Sequence, residues 1–597
     1  MKHISQNSIL FITSVALFCL SSCSDKSSSD KDEVKISSFP QRDNTLIQEE
    51  VGNLEIGMNE GQSYELSQSK DYPYWPDYRK VPLNEIKPQT WRKQDDIITG
   101  WDWSHPPGLN PSDRSLIGLD RYIGFRKNIK SISPIFPSNP VILHWVHWKE
   151  IEPEEGEYKW ELILNRLKQA ERQGNQSVLR ILSCSKHAKG SAPSWLEKYK
   201  VPTLPKTKGQ TNYDPSHPAF HKHYLKLIAS MAKTEIPSLV QAAYVGYASH
   251  SLGDEGIGPH GVNPDDVPHV IERLDAWGNA FKGMEYKVFM GGPSEYGFNK
   301  GFGVRRGFVE MYLYTLPDKN IGQSIDKNGY IVVDGNSPVL RRNPFHGEVN
   351  EEYEEAWATE ARGFRFGKTT ESFAYRYFCA NLRLLQMRCS YVHNKDTIVP
   401  DMLPFVAQEL GRTVENAPDV WCFLRESYIN ANYYMKKDYL NRGITKEEKR
   451  NGLAAKNWER WLYQRDSEGF ETTPAVKIKQ PIKMWMVQKD KVYDYIARKG
   501  KKMGFAVDDA WGGGGPQNVV VKVTYFDEGT GLLAVHCKTS SGKHQRNIQL
   551  NGSGQLRTAS VFLKDVIFDG KDLDYDLTLE GEGNEIVVSF VRIIKDL

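Results

Sequence analysis

Between residues 141 and 392, short apolar runs alternate with amphipathic stretches, and nothing else in the chain constrains its fold as strongly. Val141-Ile142-Leu143 is followed by Ile163, Leu167 and Ala170 at helical spacing. Val178-Leu179-Arg180-Ile181-Leu182 precedes a run with Phe220, Tyr224, Leu227 and Met231 on one face, opened by Asp214-Pro215-Ser216. The pattern repeats with Ala242–Tyr247 and then Val270, Leu274, Trp277 and Phe281. Lys287–Met290 follows, then Pro344-Phe345-His346 before Phe373, Tyr377, Ala380 and Leu384, and Cys389–Val392 closes the series. Parallel strands need a crossover between them, so repeated strand–helix units predict a parallel sheet flanked by helices. The spacing predicts one (β/α)8 TIM barrel over residues 61–455, enlarged from the usual size of about 250 residues. Its first strand is expected to end at Ile97-Ile98-Thr99-Gly100.

Beyond residue 480 the period changes from helical to twofold. Val519, Val521, Val523 and Tyr525 alternate with other residues, and Asp527-Glu528-Gly529-Thr530-Gly531 supplies a turn before Leu533 and Val535. This predicts a C-terminal antiparallel β-sandwich over 481–597, similar to the carbohydrate-binding sandwiches appended to bacterial glycosidases. Residues 456–480, with Asn457-Trp458-Glu459-Arg460-Trp461-Leu462, are expected to form a helical connector. The sandwich is expected to be separable from the barrel, because its alternation starts after a polar stretch near Lys477–Lys479.

The first residues are read as a targeting segment. A basic start, Met1-Lys2-His3, leads into an apolar run from Ile9 to Leu20, too short to span a membrane as a mature helix. Leu20-Ser21-Ser22-Cys23 resembles a bacterial lipobox, which implies a signal peptide over 1–22 and a lipid on Cys23. Residues 23–60 begin as a polar tether rich in Ser, Asp and Lys. The pattern is similar to that of Bacteroidetes surface lipoproteins, which implies lipid anchoring to the outer membrane, facing the cell surface or the periplasm. Cys184, Cys379, Cys389, Cys422 and Cys537 are widely spaced and show no metal-ligand pattern, so they are expected as buried free thiols. The net charge of +2 over 597 residues argues against a dedicated nucleic-acid partner.

The stretch Trp148-Lys149-Glu150-Ile151-Glu152-Pro153-Glu154-Glu155-Gly156, followed by Tyr158 and Trp160, resembles the second βα unit of clan A glycoside hydrolases. The family 42 β-galactosidases and their relatives share it. The resemblance implies two catalytic carboxyl groups, an acid/base after strand four and a nucleophile after strand seven. Glu255, in Gly253-Asp254-Glu255-Gly256, matches the acid/base position. The clan carries Asn before that residue and this chain carries Asp254, which is the alternative catalytic group. Glu348, in Asn343-Pro344-Phe345-His346-Gly347-Glu348, matches the nucleophile position. Glu295, in Gly291-Gly292-Pro293-Ser294-Glu295-Tyr296, is its rival. Trp101, Trp103, His105, Trp148, Trp195, His250 and Tyr296 are candidate substrate-binding groups. So is His144, which stands where relatives carry Arg. Arg341, Arg342 and Lys186 would suit sulfated or acidic glycans.

The chain contains neither a Gly-x-Ser-x-Gly elbow nor a His-Glu-x-x-His helix. Asp508-Asp509 offers too few ligands for a calcium loop. No metal and no cofactor are therefore expected. Two functions remain open. The first is a retaining glycoside hydrolase acting on extracellular polysaccharide or oligosaccharide, with galactose-containing glycans and sulfated galactans ranked first by the resemblance. The second is a non-catalytic surface glycan-binding lipoprotein with a degenerate barrel.

Overall fold

A computed structural model describes residues 89–596, apart from 93–94, 120–140, 185–189, 205–211, 247–256, 258–261, 307–321, 327, 345–346, 351–372, 395–400, 430–452, 480–491 and 570–574. Cys23, Lys186, His250, Asp254 and Glu255 lie outside the described residues, as do the leader and the tether.

Eight strands form one parallel sheet: Leu116–Leu119, Val141–His147, Gln176–Leu182, Ala242–Val245, Val288–Met290, Gly303–Arg306, Gly347–Asn350 and Tyr391–Asn394. Counted along the chain, their order in the sheet is 1-8-7-6-5-4-3-2. The first and second strands stand at the two ends of this path and pack against each other. That is the cyclic order of an eightfold barrel, in which each strand lies beside its predecessor. Among the described residues, helices Glu161–Arg172, Pro218–Met231, Pro268–Ala280, Glu295–Lys300, Pro338–Arg342, Phe373–Gln386 and Leu403–Glu409 follow strands two to eight in turn. Their apolar stripes are those read from the sequence: Ile163, Leu167, Phe220, Tyr224, Leu227, Met231, Leu274 and Trp277 are all buried against the strands. A second apolar cluster, with Leu116, Val141, Leu143, Val178, Ala242, Tyr244, Phe289 and Tyr391, fills the inner face of the sheet.

The first barrel strand is Leu116–Leu119, not the stretch ending at Thr99. Ile97–Thr99 instead pairs antiparallel with Leu556–Val566, Ile98 opposite Thr558. The sixth strand, Gly303–Arg306, carries two arginines in four residues and escapes a search for apolar runs.

The antiparallel sheet opens at Asp419–Ile429, well before residue 481. It continues through Leu453–Arg460, Leu462–Arg465 and Thr473–Lys479, where a helical connector was expected. The misreading has a local cause. Asn457 and Trp461 adopt left-handed backbone conformations, with φ of 48° and 60°. Such residues break strict alternation, so Trp458, Trp461 and Leu462 fall at helix-like spacing within strands. The remaining strands run from Val492 to Lys595 and share one apolar core that includes Val521, Val523, Val535, Leu579 and Val591. Chain order is therefore sheet, barrel, sheet, and the antiparallel unit is not a simple C-terminal appendage.

The junction between the two units is apolar and ionic at once. The rings of Trp101 and Trp103 stack 5.6 Å apart. They wedge between Phe378 and Phe405 of the barrel helices and Phe590 of the last strand, with centroids 4.5 to 6.3 Å away. Beside them His105 Nε2 lies 2.9 Å from Glu409 and 3.6 Å from Asp419. Arg592 bonds Asp419 at 2.7 Å, Arg460 bonds Glu409 at 3.1 Å, and Lys522 bonds Asp102 at 2.6 Å. His105, Glu409 and Asp419 are close enough to hold a metal ion. The guanidinium of Arg592, 3.2 Å from His105 Nε2 and paired with Asp419, already occupies that role. All five cysteines of the body are buried, as expected, and among the described residues there is no disulfide.

The inner face of the barrel as a candidate active site

In a (β/α)8 barrel the functional groups gather at the C-terminal ends of the strands. Strand alternation decides which residues face the interior. In the second strand Val141 and Leu143 belong to the inner cluster, with Trp145 packed on it; His147 shares their parity. Register then carries this face around the sheet. Trp145 pairs with Arg180, Arg180 with Tyr244, and Tyr244 with Phe289. On the other side Arg305 pairs with Glu348, Glu348 with Tyr391, and Tyr391 with Leu116.

Those contacts are cationic and aromatic. The Arg180 guanidinium lies 4.7 Å from the Trp145 ring and 5.5 Å from that of Tyr244. Arg305 reaches the same Tyr244 ring from the sixth strand, at 5.8 Å. Phe289 stands 6.3 Å from Tyr391. Trp145, His147 and Arg305 are half-buried, while the lower residues of the cluster are covered. Among the described residues the Trp145 indole N–H has no hydrogen-bond partner. His147 Nδ1 is 2.9 Å from Ser191 Oγ, and burial holds its imidazole below the usual range, hence neutral near pH 7. A ring donor, two guanidiniums and a neutral imidazole therefore belong to positions of one face, an arrangement suited to a polar, hydroxyl-rich ligand.

The residues expected from the sequence fall into three groups. Glu348 is in the seventh strand, in register with Arg305 and Tyr391 on the inner face. Glu295 is exposed at the first turn of the short helix after the fifth strand, and its backbone N–H donates to Asp265 at 2.8 Å. The others serve the fold. Trp101, Trp103 and His105 are locked in the junction, away from the barrel interior. His144 faces the helices, opposite Leu179 in register, with Nε2 3.1 Å from Ser177, and burial pushes its pKa down to about 4. Tyr296 donates to Asp275 on the helix layer at 2.7 Å. Arg341 and Arg342 are exposed on a helix, and Asp508 caps a short helix while accepting from Tyr463.

Trp148 and Trp195 belong to the motif that carried the resemblance, and the motif's centre is Glu152. This carboxylate is fully buried. It accepts from Trp148 Nε1 at 2.7 Å and from the Gly156 N–H at 2.8 Å, while its carbonyl accepts from Trp195 Nε1 at 3.1 Å. Burial raises its pKa against those hydrogen bonds. Trp148 packs edge-on against Phe220 and Trp195. The motif is thus a staple that closes the loop after the second strand. Glu152→Ala leaves the buried Trp148 indole N–H without its acceptor, at about 1–3 kcal/mol. Chemical denaturation should show a loss of about 1–3 kcal/mol, with turnover per folded molecule unchanged; a specific loss of turnover would assign Glu152 to the chemistry.

Sequence reading missed Trp145, His147, Arg180, Tyr244 and Arg305. A signal existed for Arg180, because an arginine inside Val178–Leu182 must face the interior when the other face packs on helices.

No family model matches the chain, and no curated protein matches it. Among solved structures it is similar to the exo-β-1,4-mannosidase Op5Man5 from Opitutaceae bacterium strain TAV5, with 11% identity over 45% of this chain and 49% of that one, at a TM-score of 0.26. A β-galactosidase from the psychrophilic Marinomonas ef1 matches with 10% identity over 29% and 38% of the two chains, TM-score 0.20. The catalytic domain of β-amylase from Paenibacillus polymyxa matches with 9% identity over 45% and 90%, TM-score 0.27. The chain spans about half the length of the mannosidase it matches. Likeness at these scores assigns neither fold nor activity.

Proposed function

We propose that this chain is a retaining glycoside hydrolase acting on an extracellular polysaccharide or oligosaccharide, with Glu348 as nucleophile and Glu255 as general acid/base. The register of the seventh strand supports this reading most: Glu348, second of the four residues Gly347–Asn350, is in register with Arg305 and Tyr391 of the inner face. Glu255 follows the fourth strand, whose Tyr244 contributes to the same face. The unpartnered Trp145 donor and the ring faces suit sugar hydroxyls and sugar C–H faces. With the lipobox-like Leu20-Ser21-Ser22-Cys23, the enzyme would work lipid-anchored at the outer membrane.

The purified chain should release reducing ends from at least one member of a panel of galactans, sulfated galactans, mannans and xylans. The first-formed product should keep its anomeric configuration by NMR. Inverted product would remove the two-step mechanism. Glycan retention without product would favour the second reading, a surface glycan-binding protein, to which Asp254 in place of Asn also points. Neither retention nor product would end the glycan reading.

A further inference from the structure

We propose that His147 and Trp145 form a hydroxyl-binding subsite of the barrel mouth, the imidazole Nε2 and the indole N–H engaging uncharged hydroxyls of the glycan; this rests on the reading of the barrel mouth as a glycan site. Both residues belong to the second strand, Val141–His147, and His147 is its last residue. Trp145 packs on the inner cluster and His147 shares its parity, so both positions lie on the inner face. Two residues of a strand span roughly 7 Å, so hydroxyls of one sugar ring or of two joined rings can meet both groups. The His147 ring is held by its other nitrogen. Nδ1 lies 2.9 Å from the hydroxyl of Ser191, a fully buried residue of the loop after the third strand. The His147 backbone N–H donates to Glu150 at 2.8 Å.

Loop closure does not account for the imidazole. The Lys149 N–H already donates to the Ser191 carbonyl at 2.9 Å, and Trp195 Nε1 to the Glu152 carbonyl at 3.1 Å, so the loops after the second and third strands are joined without it. Among the described residues His147 Nε2 makes no hydrogen bond, and neither does the Trp145 indole N–H. The chemistry of the pair then narrows the ligand. Burial holds the imidazole below its usual range, so it is neutral near pH 7 and brings no charge to the subsite. A neutral imidazole has one donor and one acceptor nitrogen, and a serine hydroxyl can meet Nδ1 in either role. Nε2 can therefore accept from a hydroxyl or donate to one, and a hydroxyl is itself both donor and acceptor. A carboxylate or sulfate offers acceptors alone and uses only half of that capacity.

Titration of the full chain carrying Glu348→Gln, which prevents turnover, tests this. The probes are neutral galacto-, manno- and xylo-oligosaccharides and a sulfated galacto-oligosaccharide. Affinity is read by calorimetry, and the Trp145 indole by its nitrogen–proton NMR signal, identified as the one lost in Trp145→Phe. At least one neutral probe should bind and move that signal downfield, as a donor does on gaining an acceptor. His147→Asn keeps an amide at the place of Nδ1 for Ser191 and has no group at the place of Nε2. It should weaken that probe about 5- to 100-fold, the range for a buried hydrogen bond that loses one partner. His147→Gln, which carries its amide at the place of Nε2, should recover part of the loss. Trp145→Phe should weaken binding by a similar factor. Unchanged affinity in His147→Asn, or an unmoved indole signal with a neutral probe bound, overturns the inference and leaves the glycan reading standing. An equal loss in His147→Asn and His147→Gln also overturns it, since that marks a structural role, and so does binding of the sulfated probe alone. Failure of all four probes to bind overturns both. The indole signal is read on the Glu348→Gln protein itself, so the test stands even where a His147 variant fails to fold.

Discussion

Replacing Arg592 with methionine is expected to cost this protein about 3–5 kcal/mol, the usual effect of removing one partner from a buried ion pair. Arg592 and Asp419 are both fully covered, so at a pH above the Asp419 pKa of about 7 the variant strands a carboxylate that Glu409 already crowds. Equilibrium denaturation followed separately at barrel and sheet signals should show the two units failing together. The same interface predicts that a chain truncated after residue 475 aggregates, contrary to the separability expected from sequence, because it exposes Trp101, Trp103 and Phe405. A soluble, cooperatively folding truncation would refute the coupling.

The network also fixes a pH signature. Burial, with Glu409 second to it, raises the pKa of Asp419 to about 7. Burial, with Arg592 second, lowers that of His105 to about 3. Unfolded, the two titrate near about 4 and about 6.5. The native state therefore keeps a proton on Asp419 that the unfolded chain has lost, and stability falls as pH rises from about 4 to 7. His105 does the reverse: the unfolded chain binds a proton that the native one refuses, so stability rises with pH from about 3 to 6.5. The two slopes oppose each other across their shared window. Stability of the wild type should be nearly flat there in this contribution, and Asp419→Asn should make it climb with pH. An unchanged slope in Asp419→Asn would show that Asp419 does not hold the proton.

Glu348→Gln and Glu255→Gln are each expected to slow glycan turnover by about 10²–10⁴-fold or more, the scale of a positioned acid or base, with unfolding midpoints close to wild type. Azide distinguishes the roles. With Glu255→Ala and an activated substrate it should give a glycosyl azide of retained configuration, because the nucleophile remains. With Glu348→Ala the azide should be of inverted configuration, because the anion attacks in place of the missing carboxylate. Retaining hydrolases hold their carboxyl groups about 5–5.5 Å apart, and a substrate complex should show that separation between Glu255 and Glu348. Full activity of Glu348→Gln would pass the nucleophile role to Glu295, which stands at the C-terminal side of the fifth strand.

What the sequence determined by itself was the grammar of the fold. Apolar residues at helical spacing, such as Phe220, Tyr224, Leu227 and Met231, can bury one stripe only against a sheet, so the helix layer and the parallel strands beneath it were legible without coordinates. The twofold alternation of Val519, Val521 and Val523 likewise required a sheet with one face on a core. Glu348 was not placed in this way: the sequence put it after an apolar run, Pro344–His346, and it is instead the second residue of the strand Gly347–Asn350.

Tertiary structure alone decided which aromatic and charged residues meet. Trp101, Trp103 and His105 look in sequence like a binding platform, and long-range packing makes them a junction, because Phe378, Phe405, Phe590 and Arg592 arrive from segments more than 250 residues away. Arg180, Tyr244 and Arg305 sit on three strands whose convergence depends on closing the sheet, and no local pattern records that closure. His144 and Trp145 are adjacent in the chain and point to opposite faces. Which of them faces the interior was set by the register of the second strand against the third, a choice made by the helices packed behind it.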